Sequence, residues 1–123
     1  MKFQVSTFIV IFLPLLLSGC FGSSPCQVKL DDMGSYIVVE ITNTTDKNLL
    51  LDAQGGKPAL TVEKKLDGDW IYDLDNMTRK SGTVKLNPKE TTTIRKYISK
   101  RDKKIKYRFE FKCDGDKVKT DEF

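Results

Sequence analysis

The chain has 123 residues, 39% apolar and 31% charged, enough for one small domain with a modest core. It contains no histidine, so the commonest general base and metal ligand is missing, and with it the Ser–His and Cys–His pairings of nucleophilic catalysis. The formal net charge of +4 is unremarkable, but its distribution is uneven: residues 31–75 hold ten acids and four bases, residues 79–119 fifteen bases and five acids.

The first element reads as an export signal. Lys2 supplies a positive charge, Phe8 to Leu17 form an apolar run of ten residues, and Ser18 and Gly19 offer the small side chains a signal peptidase accepts. A membrane-spanning helix needs about 20 apolar residues, so the run is too short to be one. Leu17-Ser18-Gly19-Cys20 resembles the lipobox of bacterial lipoproteins. The resemblance implies cleavage before Cys20 and a diacylglyceryl group on its thiol. Residues 1–19 are then signal peptide, and the chain is held to a membrane of the bacterial cell envelope. Each buried CH₂ contributes about 0.8 kcal/mol to such anchoring, so two or three acyl chains hold stably. In that family Asp after the cysteine favours inner-membrane retention. Phe21 stands there, which in a Gram-negative host points to the outer membrane facing the periplasm.

Residues 20–25 form a lipidated tether, of which the five residues 21–25 reach at most about 18 Å. Residues 26–123 form the domain. With Cys20 acylated, Cys26 and Cys113 are left, and an even pair in an exported chain reads as a disulfide. No cysteine then remains for thiolate catalysis, and no cofactor is expected beyond the lipid on Cys20.

From Cys26 onward the pattern has period two. Cys26, Val28 and Leu30 alternate with polar residues, and after a DDMGS turn Ile37, Val39 and Ile41 do the same. A turn at NTTDKN leads to LLLD at 49–52, and GGKP breaks the chain. Leu60, Val62 and Leu66 lead into Asp67-Gly68-Asp69, a hairpin signal, with Trp70–Tyr72 returning. A short strand is expected at 83–86, a turn at Asn87-Pro88-Lys89 and an extended stretch at 90–98. The clearest strand is 105–113. Ile105, Tyr107, Phe109, Phe111 and Cys113 share one face, and Lys106, Arg108, Glu110 and Lys112 the other, as in a half-buried strand. Asp114-Gly115-Asp116 then turns into a last strand, Lys117 to Phe123.

Seven to eight short strands between turns predict an all-β, antiparallel β-sandwich. Four pieces, taken in order, resemble the bacterial immunoglobulin-like domains of envelope lipoproteins. They are Ile41-Thr42-Asn43 with Thr45-Asp46-Lys47; Val62-Glu63-Lys64-Lys65 with Asp67-Gly68-Asp69-Trp70; Leu86-x-Pro88-x-Glu90; and Tyr107-Arg108. Such domains usually carry Gly after the Pro, where this chain has Lys89. The resemblance implies an immunoglobulin-like strand order with 26–30 as strand A and 105–113 as strand F. Cys26 and Cys113 then meet at one end of the sandwich, and Ser99–Lys104 lies at the other.

The run RKYISKRDKKIKYR, 95–108, holds eight bases and one acid. One reading makes Arg95, Lys96, Lys100, Arg101, Lys103 and Lys104 a surface for an anionic envelope component or an acidic envelope protein. The other makes the run a solvated hairpin whose lysines discourage edge pairing. Nucleic acid is not an expected partner outside the cytoplasm. Asp67, Asp69, Asp73 and Asp75 do not fit a calcium loop, since the twelfth positions are Thr78 and Val84 rather than Glu, so no metal site is expected. Trp70 reads as packing on the core or covering a sheet edge. Ser81-Gly82 begins the Ser-Gly-x-x-Tyr loop of periplasmic lysozyme inhibitors, but Lys85 stands where the Tyr belongs.

The function expected is non-catalytic: a lipid-anchored binding module of the envelope. Two alternatives are an inhibitor or exclusion lipoprotein that blocks an envelope enzyme or phage receptor, and a structural accessory of an envelope complex. A histidine-free chain offers few groups for an enzyme.

Overall fold

Alternation of side chains governs the residues that the computed structural model describes, 25–123. The expected signal peptide, Cys20 and the tether up to residue 24 lie outside them. β1 (Cys26–Asp32), β2 (Tyr36–Asn43) and β8 (Thr91–Tyr97) form one antiparallel sheet in the order β1-β2-β8. The register pairs Cys26 with Asn43 and Asp32 with Ile37 across β1–β2, and Tyr36 with Tyr97 across β2–β8. Ile37, Val39 and Ile41 point inward from β2 and are fully buried, while Val38, Glu40 and Thr42 face out.

The second sheet is built on β9 (Tyr107–Cys113), with β10 (Asp116–Lys119) as one partner. Along the other side of β9 lie both β3 (Leu49–Gln54), through Leu51 opposite Cys113, and β5 (Thr61–Leu66), from Thr61 opposite Glu110 to Lys64 opposite Tyr107. One strand course is thus interrupted by an excursion through Gly55-Gly56 and β4 (Lys57–Pro58), closed where Ala59 N–H donates to Asp52 O at 2.8 Å. β6 (Asp69–Tyr72) pairs with β5, and β7 (Thr83–Leu86) with β3. The described residues hold ten strands in all, the short β4 among them unforeseen. The result is an all-β antiparallel sandwich. β1, β2 and β8 take the places of strands A, B and E, and β3/β5, β9 and β10 those of C, F and G.

Inner faces of the two sheets supply the core: Leu49, Leu51, Leu60, Val62, Tyr107, Phe109 and Phe111 meet the β2 aliphatics and Ile94. Burying each large apolar side chain contributes about 1.5–3 kcal/mol. The hairpins β5–β6 and β9–β10 turn on two residues each. Asp67 and Gly68 (φ +52° and +86°) and Asp114 and Gly115 (+52° and +85°) all take the left-handed values that match strand twist. Lys89 also sits at φ +65°, the conformation that glycine adopts most easily. Its Nζ reaches Thr44 O at 2.9 Å and Asp46 at 3.5 Å.

Three details differ from expectation. β9 begins at Tyr107, because Ile105 is held in a turn by its N–H bond to Asp102 O. The second face of β9 is not simply solvated: Glu110 is buried, with Lys119 Nζ 3.3 Å from its carboxylate. β10 ends at Lys119 rather than running unbroken to Phe123, yet backbone bonding to β9 resumes where Thr120 N–H meets Phe109 O and where Phe123 and Tyr107 exchange two bonds of 2.9 Å.

Candidate functional site

The basic run is a crossover, not a hairpin. β8 belongs to one sheet and β9 to the other, so residues 98–106 pass between sheets. Asp32, which this segment contacts, is the far end of β1 from Cys26, about 20 Å away at strand rise. The end of the sandwich expected for this segment is therefore where it lies.

Arg101 fixes it. Its two terminal nitrogens bond both oxygens of Asp32 at 2.8 and 2.7 Å, and one of them also donates to Gly34 O at 2.8 Å. The guanidinium stacks 5.4 Å from the Phe123 ring centroid. Only 13% of the side chain is exposed. Further along, Asp102 N–H donates to the hydroxyl of buried Tyr107 at 2.8 Å, and Lys104 N–H donates to Asp102 Oδ1 at 2.9 Å. The segment is thus held at Arg101, through Asp32, Gly34 and Phe123, and at Asp102, through buried Tyr107.

The six bases expected to form one surface separate onto different faces. Arg95 lies on the outer face of its sheet, 5.5 Å over the Tyr36 ring, which in turn packs 5.2 Å from Tyr97. Lys96, opposite inward-facing Ile37, is half-buried and donates to Thr78 Oγ1 at 3.1 Å; burial lowers its pKa. An inward lysine on an edge strand opposes edge-to-edge pairing. Arg101 is used internally. Lys100 leans to the flank, 3.6 Å from Asp75. Lys103 and Lys104 alone project from the tip, with Lys106 beside them. A shallow cleft of about 440 Å³ opens between Lys103, Lys106, Ile105 and Phe123, with the Arg101–Asp32 pair on its wall.

The Arg101 guanidinium beside Asp32 holds its carboxyl at about 2, below the ordinary 3.8, and the Gly34 N–H adds to the effect. A depressed folded-state pKa means the pair's contribution is complete above pH ~4 and is lost as pH falls through about 2. Asp32 is 40% exposed, so after solvent screening the pair is worth about 1 kcal/mol. Asp32→Asn is expected to lower urea-unfolding stability by that amount at pH 7, with the gap closing near pH 2.

At the opposite end the structure brings Cys26 and Cys113 together. Both are buried, with sulfurs 2.8 Å apart. Burial raises the pKa of both thiols, that of Cys26 well above the ordinary thiol range. Trp70 lies on the outer face of edge strand β6, with Arg108 4.1 Å and Lys65 5.7 Å from its ring centroid. Asp73, considered above as a metal ligand, instead caps the 3₁₀ turn Leu74–Asn76.

Sequence reasoning missed a charged cluster on the outer face of the larger sheet. Glu63 is buried under Arg108 Nε at 2.6 Å and Lys119 Nζ at 3.4 Å, and Lys119 bridges on to Glu110 at 3.3 Å. Its signal was present in the opposite charges at alternate positions of two strands, but the pairing of β5 with β9 could not be read from either strand alone. Comparison with family models, with curated proteins and with solved structures finds no match.

Proposed function

We propose that the chain is an exported, lipid-anchored, non-catalytic binding module of the bacterial envelope, tethered through Cys20 and presenting the end of the sandwich around residues 98–106 to a partner. The observation that carries this is the pinned crossover. Arg101, Asp102 and Tyr107 fix a segment whose exposed lysines, Lys103 and Lys104, lie at the end of β1 remote from Cys26, the first residue after the tether. A surface held rigid before binding loses less entropy on association. Exposed bases raise association rates with acidic partners. The lipobox-like Leu17-Ser18-Gly19-Cys20 supports the anchor, and Cys26 beside Cys113 supports an oxidising compartment. The lack of histidine favours binding over catalysis, and either cysteine left reduced would be kept protonated by burial.

Cell fractionation tests the address. The native protein is expected with membranes, and Cys20→Ser is expected in the soluble fraction; tight membrane association of that variant would overturn the anchor. Crosslinking in intact cells tests the module. Lys103→Glu with Lys104→Glu is expected to cut partner capture several-fold while leaving membrane association unchanged, and no capture from the native protein under several growth conditions would overturn the binding role.

A further inference from the structure

The connection between β6 and β7 carries the two most exposed large apolar side chains among the described residues, Leu74 (76%) and Met77 (65%). A lone exposed apolar residue is ordinary. These two differ in what lies beneath them. Asp73 and Asn76 are both buried; Asp73 spends its carboxylate on the turn, and Asn76 ties the turn to Ser99. Asp73 accepts from Asp75 N–H at 3.1 Å and from Asn76 Nδ2 at 2.8 Å, with Lys64 Nζ 3.8 Å away. Asn76 Nδ2 donates to Ser99 O at 3.0 Å while its Oδ1 accepts from Ser99 N–H at 2.7 Å. The Thr78 hydroxyl donates to Leu60 O. A turn that buries two polar side chains in order to hold two apolar ones in water is built as a rigid knob. Ile71 and Tyr72, 42% and 48% exposed, precede it in the chain.

Basic residues flank the knob. Lys100 lies 3.6 Å from Asp75, and exposed Arg79 and Lys80 follow Met77 in the chain, Lys80 lying 3.7 Å from Asp52. We propose that the 73–78 turn is a docking element whose Leu74 and Met77 enter an apolar cleft with an acidic rim on a partner protein. The inference rests on the binding-module reading and names the partner's chemistry. An apolar anchor with charged surroundings is the usual anatomy of a binding hot spot. Two copies of this chain do not suit each other here, since Arg79, Lys80 and Lys100 would face their own kind. A bilayer does not suit it either, because Asp75, 49% exposed between the two apolar residues, would be carried toward hydrocarbon.

The test places a photo-crosslinking phenylalanine analogue at position 74, 77, 103 or 50 of the full chain in its native cells. Leu50 is also exposed, at 52%, but lies near Cys113, at the other end. Positions 74 and 77 are expected to crosslink to one protein, identified by mass spectrometry, and position 50 is not. That protein, purified, is expected to bind Leu74→Gln/Met77→Gln at least tenfold more weakly than the parent chain, with Leu74→Met binding normally. Lys100→Glu is expected to slow association and flatten its salt dependence. Crosslinking from position 103 but not from 74 or 77 would overturn the knob and leave the binding module standing; no crosslink from any position would overturn both. Crosslinks to a second copy, or binding to phosphatidylglycerol–phosphatidylethanolamine vesicles that the double Gln variant loses, would also overturn it, as would unchanged affinity of that variant.

Discussion

Asn43→Asp is expected to destabilise the domain by about 3–5 kcal/mol, a large part of the total a domain this size possesses. Asn43 is fully buried at the end of β2. Its Nδ2 donates to Lys47 O at 2.7 Å and to Leu86 O at 3.0 Å, and its Oδ1 accepts from Thr45 N–H at 2.9 Å and from the Thr45 hydroxyl at 2.7 Å. Its main chain bonds Glu90 O and Lys89 N–H, both at 2.9 Å. One side chain therefore ties the β2–β3 turn to the end of β7 and, through its backbone, to the β7–β8 turn. A carboxylate cannot donate, so the substitution sets a buried charge against the Lys47 and Leu86 carbonyls. Asn43→Ala is expected to cost less, about 2–4 kcal/mol, because it strands those carbonyls without adding charge. Urea unfolding at pH 7 checks both. The Asp variant should recover part of its loss as pH falls toward 5, since protonation of the new carboxyl restores one donor. Equal losses for the two variants at pH 7 would mean that the amide's donors contribute little.

Asn43 also shows where sequence pattern stops being informative. Alternation made β1, β2 and β9 legible, because a half-buried strand must put apolar residues at every second position. Asp67-Gly68 and Asp114-Gly115 were legible because few other residues tolerate two successive positive φ angles. Buried polar residues carry no such mark. Asn43, Glu63, Asp73, Asn76 and Glu110 look in sequence like solvated residues, and only their partners distant in the chain explain their burial. Pairing is similarly hidden. Residues 90–98 and 105–113 read as neighbouring strands, and nothing local in them says that they lie in different sheets. The 98–106 segment lies at the expected end of the sandwich, but four of the six bases, Arg95, Lys96, Lys100 and Arg101, serve other contacts.

On the proposed envelope address, the chain is expected to carry a Cys26–Cys113 bond whose reduction lowers stability by about 2–4 kcal/mol. The two residues are 87 apart in sequence, and closing a loop of that size is worth about 4–5 kcal/mol in the chain-entropy model, with measured effects usually smaller. Comparing oxidised with reduced parent chain isolates the cross-link, because both retain the two buried sulfurs; Cys26→Ala with Cys113→Ala adds the loss of packing and should be less stable than reduced parent. Burial should also make the bond slow to reduce in the folded state and fast to reduce in denaturant, as followed by mass spectrometry with a thiol-blocking label. Free thiols in protein recovered from the envelope would remove both expectations. The bond's position has a mechanical consequence. Among the described residues β1 is an edge strand whose only strand partner in the sheet is β2. A pull on a lipid at Cys20 would peel β1 one residue at a time from Cys26. A link from Cys26 to Cys113 passes that load to β9, which has β3, β5 and β10 as neighbours. Limited proteolysis of membrane-bound protein should therefore leave β1 intact when oxidised and cut it when reduced. Identical cleavage in both states would show that β2 alone holds the strand.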